Sequence, residues 1–329
     1  MPKDGFGRDI NYLRISLTDH CNLRCIYCMP LRGLRFAPRQ ELLTAEEIER
    51  VVKAAAAVGF RKVRLTGGEP TLRSDLIDIV GRIARVPGIT DVAMTTNAIL
   101  LPDLADRLVA AGLTRINVNV DTLNPERIKP LMRFGTVEGV WAGIEAAQAA
   151  GLRPIKINAV VVRDYNENDV VEMARLTLER DWHVRFIELM PLGGGECAKV
   201  ALSQYVPSNE TRKQIEEELG ALTPLEDGNP SDEARNFRFA RAKGVVGFIS
   251  PVSEPYCDTC NRMRLTADGK FHLCLLNDDE IDIKAALRGG GDDEAIKSIL
   301  LRAVQAKPTG HRLNEGVSTE QRGMFQIGG

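Results

Sequence analysis

The stretch "YLRISLTDHCNLRCIYCMP" (residues 12–30) joins a β-rich run, Tyr12–Leu17, to a loop carrying Cys21, Cys25 and Cys28 at C-x3-C-x2-C. Side chains two apart on a strand share a face, so Arg14, Ser16 and Thr18 point the same way. The cysteines follow directly on the strand's C-terminal end, which is where parallel α/β folds bind their ligands. Three thiolates from one loop can hold one inorganic centre and are one short of the four that most centres take.

Working outward, five more runs have strand character: Lys62–Thr66, Val92–Thr96, Arg115–Val120, Ile155–Val162 and Val184–Leu189. Helical patterns separate them. Thr44 and Glu47 form a capping box for a helix ending near Val58, with Gly59 as its left-handed stop. Ser74 is expected to cap the next helix, and Gly112 and Gly151 to end the two after it. Repeated βα order demands parallel strands with right-handed crossovers, hence an open doubly wound sheet or a barrel. The polar stripe recurs as Arg64 with Thr66, Asn117 with Asn119 and Asp121, and Lys156 with Asn158. A closed barrel fills such positions with Val, Ile and Leu, so recurrence favours a lumen that holds a polar ligand over a stripe facing solvent. Arg14, Arg64, Lys156 and Arg185 converging at one mouth suit a triphosphate or similar polyanion.

At 329 residues, 44% apolar and 27% charged, the chain has room for two domains or a barrel with an appendage. A net charge of −2 provides no general field for nucleic acid or an acidic membrane, and neither is expected as a partner. The N-terminus has no apolar signal region and no run reaches membrane-spanning length, so a cytoplasmic location is expected. Six of the seven cysteines fall into two triads, the usage expected of metal or redox groups in a reducing compartment. The second triad, in "EPYCDTCNRMRL…FHLC", is Cys257, Cys260 and Cys274; an open cluster and a zinc site completed by His272 both fit its spacing. Cys197 reads as a spare thiol in a loop, and "TRKQIEEEL" (211–219) as a solvated helix face. The break "TPLEDGNPSD" (223–232) divides the chain into domains at 1–222 and 223–329.

C-x3-C-x2-C with Tyr27 before its last cysteine, followed by "TGGEP" (66–70) after the second strand, resembles the signature of radical S-adenosylmethionine (SAM) enzymes. "CNRMRL" before "GKFHLC", the strand "VRFIELM" and a terminal "IGG" resemble the GTP 3′,8-cyclase family of molybdenum-cofactor biosynthesis, the MoaA family, from about Arg8 to Gly329. The resemblance implies an incomplete (β/α)6 TIM-like barrel, closed by a C-terminal region that carries a second iron–sulfur cluster. It implies two [4Fe–4S] clusters and SAM as cofactors, and GTP as substrate. Cys21, Cys25 and Cys28 would hold the first cluster, and Tyr27, Gly68, Asn119 and Met190 would line the SAM site. Arg14, Arg64, Thr95 and Lys156 would contact GTP. Cys257, Cys260 and Cys274 would hold the second cluster. Arg262 and Arg264 beside it would contact GTP and act in catalysis with Gly328 and Gly329 of the tail.

The implied reaction begins with reductive cleavage of SAM to methionine and a 5′-deoxyadenosyl radical, which takes hydrogen from C3′ of GTP. The C3′ radical adds to C8 of guanine, and reduction yields 3′,8-cyclo-7,8-dihydro-GTP. The implied partners are an electron donor such as flavodoxin or ferredoxin, and a cyclic pyranopterin monophosphate synthase to which the product passes. Monomer and homodimer are both compatible. The chain departs from the family pattern at Asn119, where serine is usual, at Ala98, where glycine is usual, and at Phe325, an apolar residue in the tail. Two alternatives are another radical SAM enzyme with an auxiliary cluster, such as a peptide-modifying maturase, and a zinc-stabilised binding protein. The first would need an extra peptide-binding domain and a longer cysteine array. The second leaves the glycine turn and the basic stripe unexplained.

Overall fold

Six parallel strands alternate with helices in the first two thirds of the computed structural model, which describes residues 1–225 and 231–328. In chain order they are β1 (Tyr12–Ser16), α1 (Ala45–Ala57), β2 (Lys62–Thr66), α2 (Leu76–Ala84), β3 (Asp91–Thr96), α3 (Ala105–Ala111), β4 (Arg115–Asn119), α4 (Pro125–Met132), α5 (Val137–Ala149), β5 (Lys156–Val161), α6 (Val170–Glu179) and β6 (His183–Glu188). Two further helices follow, α7 (Gly195–Ser203) and α8 (Ser208–Leu219). Each expected strand is present within a residue or so of its expected ends.

The local signals act through identifiable bonds. The capping box of α1 is complete: the Glu47 amide donates to Thr44 Oγ1 at 3.2 Å and the Thr44 amide to Glu47 Oε2 at 2.8 Å. Gly59 follows the end of α1 at φ +107°, and Gly112 and Gly151 stand at φ +108° and +89° where their helices stop. Ser74 does not cap α2. Asp75 occupies that position and makes no side-chain cap, because its carboxylate takes the Arg73 guanidinium at 2.8 and 3.1 Å. That arginine also donates to the carbonyls of Leu17 and Leu43, stitching the turn onto the first cysteine segment.

The C-terminal third supplies β7 (Thr223–Pro224), β8 (Arg235–Arg238), β9 (Val245–Ile249), β10 (Arg262–Leu265), β11 (Lys270–His272), β12 (Glu280–Asp282), α9 (Lys284–Arg288), α10 (Asp293–Gln305) and α11 (Met324–Ile327). These strands are not a separate layer. Among the described residues the sheet has twelve strands in the order β12-β11-β10-β1-β2-β3-β4-β5-β6-β9-β8-β7. β10 pairs parallel with β1, and β9 parallel with β6, so both open edges of the six-stranded unit are taken up by later chain. One face of each strand, including Leu13, Ile15, Val63, Leu65, Ile116 and Val184, is buried in the core beneath the helices. The opposite face carries the polar stripe.

Ala98, after β3, adopts φ +65°. The loop is held there by α5, where a Cβ on Gly143 would lie 2.0 Å from the Ala98 carbonyl oxygen. A left-handed alanine costs about 1–2 kcal/mol, partly offset by glycine's greater unfolded entropy. Ala98→Gly is therefore expected to raise the melting temperature by roughly 1–3 °C with the fold unchanged, which thermal unfolding followed by circular dichroism would check.

Candidate active site

Register builds the site. Arg14 on β1 lies opposite Arg64 on β2 and Arg264 on β10, so three arginines stand side by side across three neighbouring strands. Thr95, Asn117 and Lys156 form a second row across β3, β4 and β5, and Asn119, Asn158 and Arg185 a third across β4, β5 and β6. Arg14, Arg64, Arg185, Arg262 and Arg264 are all buried. Gly247 of β9 makes room for Arg185, since a Cβ there would lie 2.9 Å from Arg185 Cγ.

A cavity of about 1210 Å³ opens at the C-terminal ends of these strands. Cys21, Cys25, Cys28, Tyr27, Gly68, Asn119 and Met190 line it, as do Arg14, Thr95, Arg262 and Arg264. An adjoining cavity of about 560 Å³ is lined by Cys257, Cys260 and Cys274. The two share Met190, Tyr256, Arg262, Arg264 and Leu275 as a common wall. Arg64 and Lys156 line a third cavity of about 690 Å³ with Arg115 and Arg185. Gly328 is buried with φ +80° next to Ser16 and Thr66, and its carbonyl accepts from Arg264. Gly329 lies outside the described residues, as do residues 226–230 of the break at 223–232.

The glycine turn lines the large cavity and is also packed onto the cysteine loop. Gly67 and Gly68 lie against the backbone of the cysteine loop: the Gly68 amide donates to Thr18 O and the Glu69 amide to His20 O, each at 2.7 Å. Buried Glu69 then accepts from Thr71, Thr96 Oγ1 and the Asn97 amide, binding the turn to the end of β3. The Tyr27 hydroxyl donates to Asp121 Oδ2 at 2.6 Å, and burial pushes the Asp121 carboxyl up to about 6. The C-terminal tail reaches the same loop. Phe325 sits edge-on to Phe36 with ring centroids 6.4 Å apart, and its backbone amide hydrogen-bonds Cys28. Cys197 lies buried on α7 rather than in a loop, close enough to Cys28 to affect its ionisation.

The donor chemistry suits an iron–sulfur cluster. Burial pushes Cys25 and Cys28 well above the ordinary thiol range and Cys21 up to about 11, so these thiols need a cationic centre to be thiolates. Among the described residues, no group of three or more His, Cys, Asp or Glu side chains is arranged for a single metal ion. Ligands to separate irons need not converge on one point. In the second triad burial opposes ionisation of Cys260, yet Arg262 and Lys307 outweigh it and bring that thiol down to about 6. His272 does not line the second cavity, and its Nδ1 is 3.2 Å from Glu280. A zinc site completed by His272 therefore has no support in the geometry. Among the described residues Ser16 Oγ, Asn117 Oδ1, Asn158 Oδ1, Arg14 Nε and two nitrogens of Arg185 are buried without hydrogen-bond partners. So many orphaned groups on one face call for a polar ligand.

Three elements of the second triad's surroundings have no sequence signal. Arg8 donates to Cys257 O at 2.7 Å and to the carbonyls of Pro308 and Thr309 at 2.6 Å, tying the N-terminus to the triad. Lys307 is buried and donates to Leu273 O at 2.8 Å. Glu233 bridges Arg14 at 2.7 Å and Arg262 at 2.9 Å. Each joins segments far apart in the chain, which no local pattern announces.

Residues 15–177 match the model of the radical SAM superfamily, and residues 182–313 that of the family Molybdenum Cofactor Synthesis C. Among solved structures, Streptococcus suis SuiB superposes with a TM-score of 0.63 at 15% identity, over 92% of this chain and 67% of that one, a likeness of fold. Fold and site together define a radical SAM protein that uses SAM and a [4Fe–4S] cluster. Full-length relatives narrow this. The GTP 3′,8-cyclase of Pelotomaculum thermopropionicum is 47% identical over 99% of this chain and all of its own. That of Heliobacterium modesticaldum is 48% identical over 99% of each chain. The chain belongs to the GTP 3′,8-cyclase family. Among the described residues no helix is long and apolar enough to cross a membrane.

Proposed function

We propose that this chain is a radical SAM GTP 3′,8-cyclase that converts GTP to 3′,8-cyclo-7,8-dihydro-GTP, the first step of molybdenum-cofactor biosynthesis. One observation carries the reading beyond family membership: two cysteine triads line adjoining cavities whose common wall is Arg262, Arg264, Met190 and Tyr256. Residues 1–222 carry the SAM chemistry; residues 223–329 carry a second [4Fe–4S] cluster and the tail.

Cys21, Cys25 and Cys28 would hold the first cluster, and Cys257, Cys260 and Cys274 the second. A cluster held by the first triad would supply the low-potential electron for reductive cleavage of SAM. Tyr27, Gly68, Asn119 and Met190 line the SAM site beside the first triad. Arg14, Arg64, Lys156, Arg262 and Arg264, with Thr95, hold GTP so that C3′ faces that site while guanine lies toward the second triad. Their contribution is orientation and charge rather than proton transfer. Gly328 completes the site from the tail, its carbonyl fixing the Arg264 guanidinium, and Gly329 is assigned to catalysis with it on the family resemblance. A carrier such as flavodoxin or ferredoxin supplies the electrons, and the product passes to a cyclic pyranopterin monophosphate synthase, chemistry that belongs in the cytoplasm.

Anaerobic incubation of cluster-loaded protein with SAM, GTP and dithionite, read by liquid chromatography and mass spectrometry, tests the proposal. 5′-Deoxyadenosine with a GTP-dependent cyclised nucleotide supports it. Deoxyadenosine with untouched GTP leaves a radical SAM enzyme of another specificity.

Lys156 provides a pH test. Burial, then Arg185, Arg115 and Arg64, lower its ammonium to about 8. A bound triphosphate favours the protonated form. The affinity that this charge contributes is complete below pH 8, and falls above it by up to about tenfold per pH unit. Titration calorimetry across pH 7–9.5 is expected to show proton uptake and a falling affinity above pH 8, and Lys156→Met to flatten that limb.

A further inference from the structure

Glu233 stands in the wrong place for a protein that binds a polyanion. Its carboxylate sits between the guanidiniums of Arg14 and Arg262, at 2.7 and 2.9 Å, and its side chain forms part of the wall between the SAM-side cavity and the basic cavity of Arg64, Lys156 and Arg185. Asp232 beside it lines the basic cavity too and acts electrostatically on Lys156 and Arg115. Two successive carboxylates thus line a pocket that also holds Lys62, Arg64, Arg115, Lys156 and Arg185. The field of Arg14, Arg262, Arg185 and Arg64 overcomes burial and holds Glu233 well below the usual carboxylate range, so it is anionic at neutral pH. On its other side Glu233 borders a cavity of about 760 Å³ that also contains Arg235 and Glu254.

We propose that Glu233 stands in for a substrate phosphate: in the free protein it keeps Arg14 and Arg262 aligned, and it withdraws toward the Arg235 cavity when a polyphosphate takes its place. The inference rests on the proposed reading of the basic cavity as the triphosphate site. A buried guanidinium without a counter-ion is costly, so the exchange keeps both arginines paired throughout. It also makes entry depend on the charge of the incoming group. A triphosphate can replace the carboxylate on both arginines, whereas an uncharged nucleoside cannot, so Glu233 acts as a specificity-determining residue.

The test is anaerobic titration calorimetry of cluster-loaded wild-type and Glu233→Gln protein with GTP, inorganic triphosphate and guanosine. Hydrogen exchange across residues 231–238 of the wild type, with and without GTP, is the second measurement. If the withdrawn state is about a tenth of the free population, Glu233→Gln binds GTP and triphosphate about tenfold more tightly and guanosine no better. GTP is expected to speed exchange across residues 231–238 of the wild type, a readout independent of how the variant folds. Wild-type binding of GTP with equal or weaker binding by the variant, or with unchanged exchange at 231–238, overturns the inference alone. A wild type that binds neither GTP nor triphosphate overturns the triphosphate site and the inference with it.

Discussion

Gly68→Ala is expected to lose at least about 100-fold in the rate of 5′-deoxyadenosine formation while still folding. A Cβ at position 68 would lie 2.1 Å from the His20 carbonyl oxygen, 2.6 Å from its carbon and 3.0 Å from the Asp19 carbonyl carbon. All three are backbone atoms of the cysteine loop, so no side chain can rotate away. The loop and the turn must separate by close to 1 Å, which breaks the Gly68–Thr18 and Glu69–His20 hydrogen bonds or shifts Cys21. Overpacking of this kind costs roughly 1–3 kcal/mol of stability, within what a chain of this size tolerates. A misplacement of about 1 Å in a reacting group costs about 100-fold in rate. Product analysis after a fixed anaerobic incubation would check it; a variant at wild-type rate would show that the turn and the cysteine loop can separate without cost.

The second large effect is expected at the tail. Gly328→Ala places a Cβ 2.3 Å from Thr66 Cγ2 and 2.7 Å from Ser16 Oγ, at a φ of +80° that an alanine adopts only with strain. The tail must back out, and its carbonyl leaves the Arg264 guanidinium. The atoms a Cβ at 328 would meet belong to Thr66 and Ser16 and not to a cysteine, so iron content is expected to hold. SAM cleavage is expected to continue while cyclised nucleotide falls about 100-fold, giving deoxyadenosine without product. The ratio of the two products is the measurement, and an unchanged ratio would remove the tail from the reaction.

The six strands, the helix stops at Gly59, Gly112 and Gly151, and the polar stripe are all legible in the chain itself, because each depends on a period of a few residues or on one glycine's φ. The Ser74 cap fails for a reason outside that range: Arg73 recruits Asp75 and reaches the carbonyls of Leu17 and Leu43. The packing of Gly67 and Gly68 onto the Thr18–His20 backbone has no local signal, because that backbone belongs to another segment. Glu233 gives no signal because it follows directly on a polar break and belongs to no periodic run. Its partners are 219 and 29 residues away.

The sequence alone determined the parallel βα order, the two cysteine triads and which strand residues share the inner face, since alternation and spacing are properties of the chain within one element. Only the tertiary structure decided that β9 and β10 close the two sheet edges, and that register sets Arg264, Arg14 and Arg64 in one row. It also decided that Gly328, Arg8, Lys307 and Glu233 meet the site. Strand pairing and long-range ion pairs depend on which surfaces remain uncovered once the local elements have formed, and that is settled by burial across the whole chain.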